Sequence, residues 1–322
     1  MFGKKYGETE YSINLLPIGG FVKIFGENPD EENTNGPDRE RSFVHKAKWK
    51  QAIVLFAGVF MNFILAWVLF SITLFLGSPL ATDSIPAQAK ERMTEKIVVL
   101  GVVQDSPALK SGLQVGDIVL SLETSKDKII SPTIDEFVTF TNQPGENIHF
   151  SYLRKGQQME AEIVPEEDAS FGRAFVGIAP GALISGKFNF FESINYGLQT
   201  TLLTSRDTVI GLKKLIFGGS DAKMARESVV GPVGLAKITG VVSDIGVGYL
   251  LSFAGLISVS LAVINLVPFP ALDGGRLLFL LIEKIKGSRL NPKFANTANL
   301  IGFGILILLM LIVTYNDISK LF

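Results

Sequence analysis

The chain has 322 residues, of which 47% are hydrophobic and 19% are charged, and its mean hydropathy is +0.35. This composition predicts a polytopic α-helical membrane protein rather than a soluble one. The net charge of −1 favours no nucleic-acid partner, and the absence of cysteine excludes disulfides and thiolate metal sites. The chain has two histidines, His45 and His149.

Residues 1–50 are predicted to be a cytoplasmic-side segment that contains a membrane-associated β-hairpin. They have no signal-peptide core. Two short apolar runs lie within residues 11–27, on either side of Gly19 and Gly20, and the second begins at Phe21. This pattern is typical of a β-hairpin or a re-entrant loop, and an ordinary surface hairpin explains it equally well.

The first transmembrane span is predicted at residues 51–77. Ala52 to Leu76 is an uncharged run of 25 residues, which is long enough to cross a bilayer as a helix. Gly58 and Asn62 are four residues apart, so they share one helix face. A small residue beside an amide favours close packing against another helix, and contact with a substrate is the alternative.

Residues 97–168 have the pattern of a compact domain of strands and short helices. Pro107 begins a predicted short helix, Gly112 follows its end, and Gly116-Asp117 leads into a strand. A further helix is predicted at 134–142, with strands at 147–154 and 158–164. His149 lies in the first of these strands and is interpreted as an ordinary strand residue.

This block resembles a PDZ domain of the bacterial, circularly permuted kind. PDZ domains bind extended peptides by adding them as a strand to a sheet edge. The resemblance implies an α+β domain inserted between membrane spans. It also implies that Leu100, Gly101, Val102 and Val103 form the peptide-binding edge and receive the C-termini of peptides.

Three further segments follow. Residues 186–220 have apolar side chains at roughly helical spacing, which predicts an amphipathic helix on the membrane surface or packed against the preceding domain. Gly231-Pro-Val-Gly234 is interpreted as a turn. A second span with its terminal motif is predicted at 245–285, and a third at 294–315.

The second span ends in Asn265-Leu-Val-Pro-Phe-Pro-Ala-Leu-Asp273-Gly-Gly-Arg. An aspartate at mid-membrane costs about 2.5–3.5 kcal/mol on insertion scales, so Asp273 is a functional candidate. The two prolines interrupt the helix, and broken helix at membrane depth must be buried in protein or line a wet cavity. A carboxylate there suits a metal such as zinc. A plain turn between two helices is the alternative.

Positive charge predicts the orientation of the spans. Lysines and arginines cluster at residues 39–50 and again at 284–293, so both loops are expected in the cytoplasm. The 97–168 domain is then on the extracytoplasmic side of the bacterial inner (plasma) membrane.

Four patches together resemble the bacterial site-2 proteases, a family of zinc intramembrane metalloproteases. They are Pro17 to Glu27, Gly58 to Asn62, Gly231 to Gly234 and Asn265 to Gly275. The resemblance covers essentially the whole chain. It implies that Asp273 is a zinc ligand and that Asn265, Gly19, Gly20, Phe21 and Asn62 bind substrate. Expected substrates are single-span membrane proteins such as anti-sigma factors or signal-peptide remnants.

One departure from the family pattern is decisive for catalysis. The family's first span carries His-Glu-x-x-His, whose histidines bind zinc and whose glutamate is the general base. The 322 residues contain no such motif, so no catalytic residue is assigned. Either the family's first span is missing from an N-terminally truncated protease, or the chain is a non-catalytic membrane PDZ scaffold that binds exported peptide ends. A transporter is a distant third interpretation, because three spans show no repeat.

Overall fold

The computed structural model describes residues 2–7, 9–13, 24–26, 36, 40–143, 145–154, 156–168, 173–218, 229–288 and 290–319. These residues form two compact units. The first comprises residues 1–54 and 279–297, and the second comprises 55–278 and 298–322.

The helices are α1 (Lys48–Leu76), α2 (Ala87–Lys90), α3 (Pro107–Lys110), α4 (Ile134–Thr141), α5 (Phe190–Phe217), α6 (Pro232–Ile245), α7 (Val247–Asn265), α8 (Asp273–Lys286) and α9 (Pro292–Ser319). The strands are β1 (Phe2–Tyr6), β2 (Thr9–Ile13), β3 (Pro79–Leu80), β4 (Thr94–Val102), β5 (Ile118–Glu123), β6 (Lys128–Ile130), β7 (Ile148–Arg154), β8 (Gln157–Ile163), β9 (Glu166–Asp168), β10 (Arg173–Phe175) and β11 (Ile178–Ser185).

Within the described part of the chain, three helices are long and apolar enough to cross a membrane: Lys48–Leu76, Val247–Asn265 and Lys293–Ser319. The first and the third coincide with the predicted spans within a few residues at their ends. The second helix, Val247–Asn265, covers only the first half of the predicted 245–285, and the rest of that range contains a loop and the separate helix α8. The apolar runs therefore predicted the helices correctly, since a long uncharged segment satisfies its backbone groups most simply as a helix.

The first unit contains an N-terminal hairpin that the sequence did not predict. Strands β1 and β2 pair antiparallel, from Phe2 opposite Ile13 to Tyr6 opposite Thr9. The turn residue Gly7 has φ +63°, a left-handed conformation that favours glycine. The predicted hairpin around Gly19, Gly20 and Phe21 lies outside the described residues.

An ion pair in the first unit joins the beginning of α1 to the end of α8. The Lys48 ammonium bonds the Glu283 carboxylate, and the other Glu283 oxygen accepts the Leu290 N–H at 2.9 Å. These residues adjoin the two basic segments that the charge distribution predicts on one side of the membrane. The contact agrees with that arrangement, although the orientation itself stays a prediction.

The second unit contains a mixed domain built on one sheet. Its strand order is β3-β11-β4-β5-β7-β8, and β6 pairs with β5. The core is apolar, with fully buried side chains that include Ile97, Leu122 and Phe150. The sheet runs from Pro79 to Ser185 and is thus wider than the predicted 97–168, because β11 returns to pair with β4.

The short helices of this domain begin as their sequences predict. Ser106 is the N-cap of α3, and its hydroxyl oxygen accepts the Leu109 N–H at 3.3 Å. Thr133 and Glu136 form a capping box at the start of α4. Hydrogen bonds from the Thr133 backbone and hydroxyl lower the pKa of Glu136. His149 lies in β7, as predicted.

The long helix α5 packs along two apolar helices rather than against the sheet alone. A Cβ at Gly197 of α5 would lie 2.2 Å from the Ser71 hydroxyl of α1, so the two backbones approach closely there. The Trp67 indole donates to the Ile194 carbonyl at 2.8 Å. Helix α5 also contacts α7. Helix α7 in turn packs against α1, where a Cβ at Gly255 would lie 3.1 Å from the Phe70 ring.

The predicted close packing at Gly58 is wrong for the residues that the structure describes. A Cβ there would meet no heavy atom within 4 Å, and Gly58 is exposed. The tight contacts of α1 lie about three turns further on, at Phe70 and Ser71. A glycine followed by an amide marks a possible contact face, but the position of the neighbouring helices decides whether it is used.

Candidate functional site

The segment between α7 and α8 is a tight, non-helical loop, formed by residues 266–272 and called the interhelical loop below. Helix α7 ends at Asn265 and α8 begins at Asp273. Within the loop the Phe269 N–H donates to the Val267 carbonyl at 2.7 Å, and the Leu272 N–H donates to the Phe269 carbonyl at 3.1 Å. The two prolines therefore interrupt the helix as predicted, and the chain turns back on itself.

Two glycines at the beginning of α8 allow the interhelical loop to lie directly against that helix. A Cβ at Gly274 would lie 2.3 Å from the Val267 carbonyl oxygen, and one at Gly275 would lie 2.2 Å from the Phe269 carbonyl oxygen. Real Cβ atoms cannot approach an oxygen so closely. The Gly-Gly pair is thus required for packing, beyond the turn that the sequence suggested.

Helix α9 holds the other side of the interhelical loop. The Asn299 side-chain oxygen accepts the Ala271 N–H at 3.2 Å. A Cβ at Gly302 would lie 2.5 Å from the Pro270 carbonyl oxygen, so α9 and the loop are in close contact. Ala271 has φ +77°, which strains a residue that carries a side chain.

Sequence reasoning missed Asn299 and Gly302. Both lie in the third apolar helix, where an amide is uncommon, and that was the signal that could have identified Asn299. Gly302 had no distinguishing signal, because its role depends on which backbone lies against it.

Asp273 is half-buried and is the first residue of α8. The positive end of a helix dipole stabilises an ionised carboxylate at this position. Asn265, also half-buried, is the last residue of α7. The two residues therefore flank the interhelical loop, Asn265 directly before it and Asp273 directly after it.

The described residues do not form a complete zinc site. Among them no group of three or more His, Cys, Asp or Glu side chains is close enough to hold a metal ion. His45 ends a short 3-10 helix of the first unit, and the His149 Nε2 atom lies 3.5 Å from a Glu160 oxygen. Since a catalytic zinc site needs three protein ligands, Asp273 with the described residues is insufficient.

The remaining predicted substrate residues are not brought to this loop by any described contact. Asn62 is half-buried on α1, while Gly19, Gly20 and Phe21 lie outside the described residues. Their assignment to substrate binding therefore stays a prediction.

The predicted peptide-binding edge at Leu100 to Val103 stays a prediction. On one side these residues, at the end of β4, pair with β11 through Val102 opposite Ile178 and Gly101 opposite Ala179. The Val103 N–H also donates to the Gly177 carbonyl at 2.9 Å. Strand β5, the other neighbour of β4, pairs with it at Ile97 and Val98, so an added peptide strand could reach Leu100 to Val103 from the β5 side alone.

The structure also has an open edge on β11, the neighbouring strand in the sheet. Among the described strands, β11 has β3 as its outer neighbour only at Ile184 and Ser185, so Ile178 to Leu183 lack an outer partner. Ile178 packs against the core that also contains Phe137 of α4. The sequence missed this edge because β11 lies beyond the predicted end of the domain, at residue 168.

Comparison with known proteins places the chain in a family. Its residues 1–309 match the model of peptidase family M50. The chain is 33% identical to a putative zinc metalloprotease of Clostridium perfringens, with 99% of this chain and 86% of that protein aligned.

Two further relatives are similar over nearly their whole length. Zinc metalloprotease RasP of Shouchella clausii is 32% identical, with 100% of this chain and 90% of the relative covered. The regulator of sigma-E protease RseP of Escherichia coli is 28% identical, with 97% and 88% covered. The apolar helices, the aspartate after a broken helix and these matches agree: the chain belongs to peptidase family M50, the site-2 protease family of membrane zinc metalloproteases.

Proposed function

We propose that this chain is the larger part of a zinc-dependent endopeptidase that cleaves single-span membrane proteins within or near the bilayer. The observation that supports the proposal best is the position of Asp273. Its carboxylate stands at the start of α8, directly after a helix break that Gly274, Gly275 and Asn299 hold in place. An ionisable residue held this firmly between apolar helices is a functional candidate.

In this proposal Asp273 supplies one metal ligand and Asn265 holds an extended substrate through its amide. The interhelical loop keeps the two residues at a fixed spacing. Zinc also needs two further ligands, and the chemistry calls for a paired-histidine motif that the 322 residues do not contain. Gly19, Gly20 and Phe21 would present the substrate as a strand.

The proposed substrates are anti-sigma factors or remnant signal peptides, and the proposed location is the bacterial plasma membrane. The sheet domain, which we interpret as a PDZ domain, would then face the extracytoplasmic side. This orientation follows from the basic residues at 39–50 and 284–293. The sheet domain would bind peptide ends or limit substrate size, without taking part in the chemistry.

The experiment that tests the metal assignment is elemental analysis of two purified proteins. One is this chain, and the other is this chain preceded by an apolar helix that carries His-Glu-x-x-His. We expect about one zinc per chain in the second protein and none in the first. The substitution Asp273→Ala in the second protein should remove most of the bound zinc while membrane insertion is retained.

A matched control is Asp244→Ala, which removes an exposed carboxylate near the end of α6. It should leave the zinc content unchanged. Full zinc occupancy after Asp273→Ala would refute the ligand assignment. Absence of zinc from both proteins would refute the metalloprotease proposal for this chain.

A second candidate function is a non-catalytic membrane scaffold that binds exported peptide ends. The open edge of β11 favours it, because a peptide could pair with Ile178 to Leu183. Fluorescence anisotropy with the full chain in micelles would compare peptides that end in a free carboxylate with the same peptides amidated. Preference for the free carboxylate would support peptide-end binding, and no binding of either would exclude the scaffold.

A further inference from the structure

Asp317, near the end of α9, is a buried acid that the proposed chemistry does not use. It is 8% exposed. One carboxylate oxygen accepts the Gly231 N–H at 3.2 Å, and the other accepts the Gly234 N–H at 2.8 Å. The contact joins two segments that are more than 80 residues apart in the chain.

These two bonds cap the N-terminus of α6. The N-cap residue Gly231 has no side chain to cap the helix, and Pro232 has no N–H. The first-turn N–H groups of a helix lack partners within the helix, and its positive end favours a negative charge. Asp317 supplies from a distance the cap that the local sequence lacks.

The contact also explains the glycines of the Gly231-Pro-Val-Gly234 segment. A Cβ at Gly231 would lie 2.7 Å from an Asp317 oxygen and 2.8 Å from Val313. A Cβ at Gly234 would lie 3.1 Å from the carboxylate. The segment was interpreted from the sequence as a turn, but it is the start of a helix. Its two glycines leave the space that the Asp317 carboxylate occupies.

The capped helix forms one wall of a cavity. The cavity has a volume of about 480 Å³, and Val233, Ile238 and Val241 of α6 face Tyr249, Phe253 and Leu256 of α7 across it. Leu100 of β4 and Asp317 itself also line it. The position of α6 therefore determines how far this apolar cavity is open.

We propose that Asp317 is a positioning residue that holds α6 against α9 and so limits how far the cavity opens on that side. The first turn of α6 is fixed by the two hydrogen bonds, while most of the helix surface from Leu235 to Gly240 is exposed. Loss of the carboxylate leaves two N–H groups without their acceptor and frees the start of the helix. This inference does not depend on the proposed protease function.

Cysteine accessibility tests the inference, because the chain has no cysteine of its own. Val233→Cys places a thiol in the cavity wall, and Ala108→Cys places one in the sheet-domain core, where Ala108 is 0% exposed. The full chain in micelles would be labelled with a charged maleimide. Asp317→Ala should raise the labelling rate at position 233 by on the order of tenfold, since a hydrogen bond to a charged group contributes at least that factor.

Two further variants separate positioning from general loss of structure. Asp317→Asn keeps one oxygen acceptor and should give an intermediate rate at position 233. Asp244→Asn changes an exposed carboxylate on α6 itself and should have no effect. An unchanged rate at position 233 in Asp317→Ala would overturn the proposal, and so would an equal rise at position 108.

Discussion

Helix α9 binds two segments that contain glycine and proline, and it does so through two different side chains. The Gly231-Pro-Val-Gly234 segment contacts the Asp317 carboxylate, whereas the interhelical loop contacts the neutral amide of Asn299. The two α9 residues are 18 positions apart, which is roughly 27 Å along a helix and close to the thickness of a bilayer core. Helix α9 therefore forms hydrogen bonds to one segment near each of its ends.

The difference between the two contacts has an electrostatic reason. At the start of α6 a negative charge meets two N–H groups and the positive end of a helix, so a carboxylate is stabilised there. At the interhelical loop the acceptor meets one backbone N–H, that of Ala271, and a neutral amide oxygen is sufficient to bind it.

Gly275→Ala should have the largest effect on the interhelical loop. The new Cβ would lie 2.2 Å from the Phe269 carbonyl oxygen, which is backbone and cannot move aside without opening the loop. We expect a loss of stability of about 1–3 kcal/mol, as for other overpacked sites. Thermal unfolding in micelles, followed by tryptophan fluorescence, measures it.

The matched control for this change is Gly304→Ala on α9, where a Cβ would lie more than 4 Å from every heavy atom of the described residues outside its own helix turn. It should be neutral or slightly stabilising, because alanine is a better helix former than glycine. Equal melting temperatures for the two variants would show that the close approach at Gly275 does not matter.

Asn299→Ala should have a smaller effect, because it removes a single neutral hydrogen bond. A bond of this kind contributes about 0.5–1.5 kcal/mol. Amide hydrogen exchange should become faster at Ala271, whose N–H loses its acceptor. Asn296→Ala, an exposed asparagine of the same helix, is the control and should leave exchange in the loop unchanged.

Ala271→Gly should stabilise the protein by about 0.5–1 kcal/mol. Glycine adopts φ +77° without the steric strain that alanine has there. The strain energy that is removed should exceed the additional conformational entropy that glycine loses on folding. Thermal unfolding in micelles measures the change. A lower melting temperature would contradict the strain that the backbone angle indicates.

The smallest expected effect concerns a helix whose cap is local and exposed. At the start of α5, the hydrogen bond from Arg92 and then the Asn189 N–H lower the pKa of Glu192. A lowered folded-state pKa contributes stability above the unfolded value and loses it as the pH falls through the folded value. Glu192→Gln should therefore reduce the dependence of the melting temperature on pH below about 4.5. An unchanged acid profile would contradict this assignment.

The spans and the helix break could be predicted because their causes are local. An uncharged run of 25 residues at Ala52–Leu76 has few alternatives to a membrane helix, and Pro268 with Pro270 must interrupt one. Pro107 marked a helix start by the same kind of short-range chemistry. Family membership followed from the order of such segments.

Two outcomes that the sequence did not predict concern which surfaces meet. Leu100 to Val103 were predicted as an edge, and β11 returns from outside the predicted domain to pair with one side of them. Gly58 was predicted at a helix contact, and the contact lies at Ser71 instead. Neither outcome can be read from nearby residues, because the partner in each case is more than 70 positions away in the sequence.

Sequence alone established the apolar helices, the interrupted helix before Asp273 and the lack of a paired-histidine motif, since each depends on residue type and short spacing. Only the tertiary structure decided which atoms lie against the glycines. Backbone carbonyl oxygens lie against Gly274, Gly275 and Gly302. The Asp317 carboxylate lies against Gly231 and Gly234. A glycine in a sequence shows only that space is available. The fold determines which atom occupies that space.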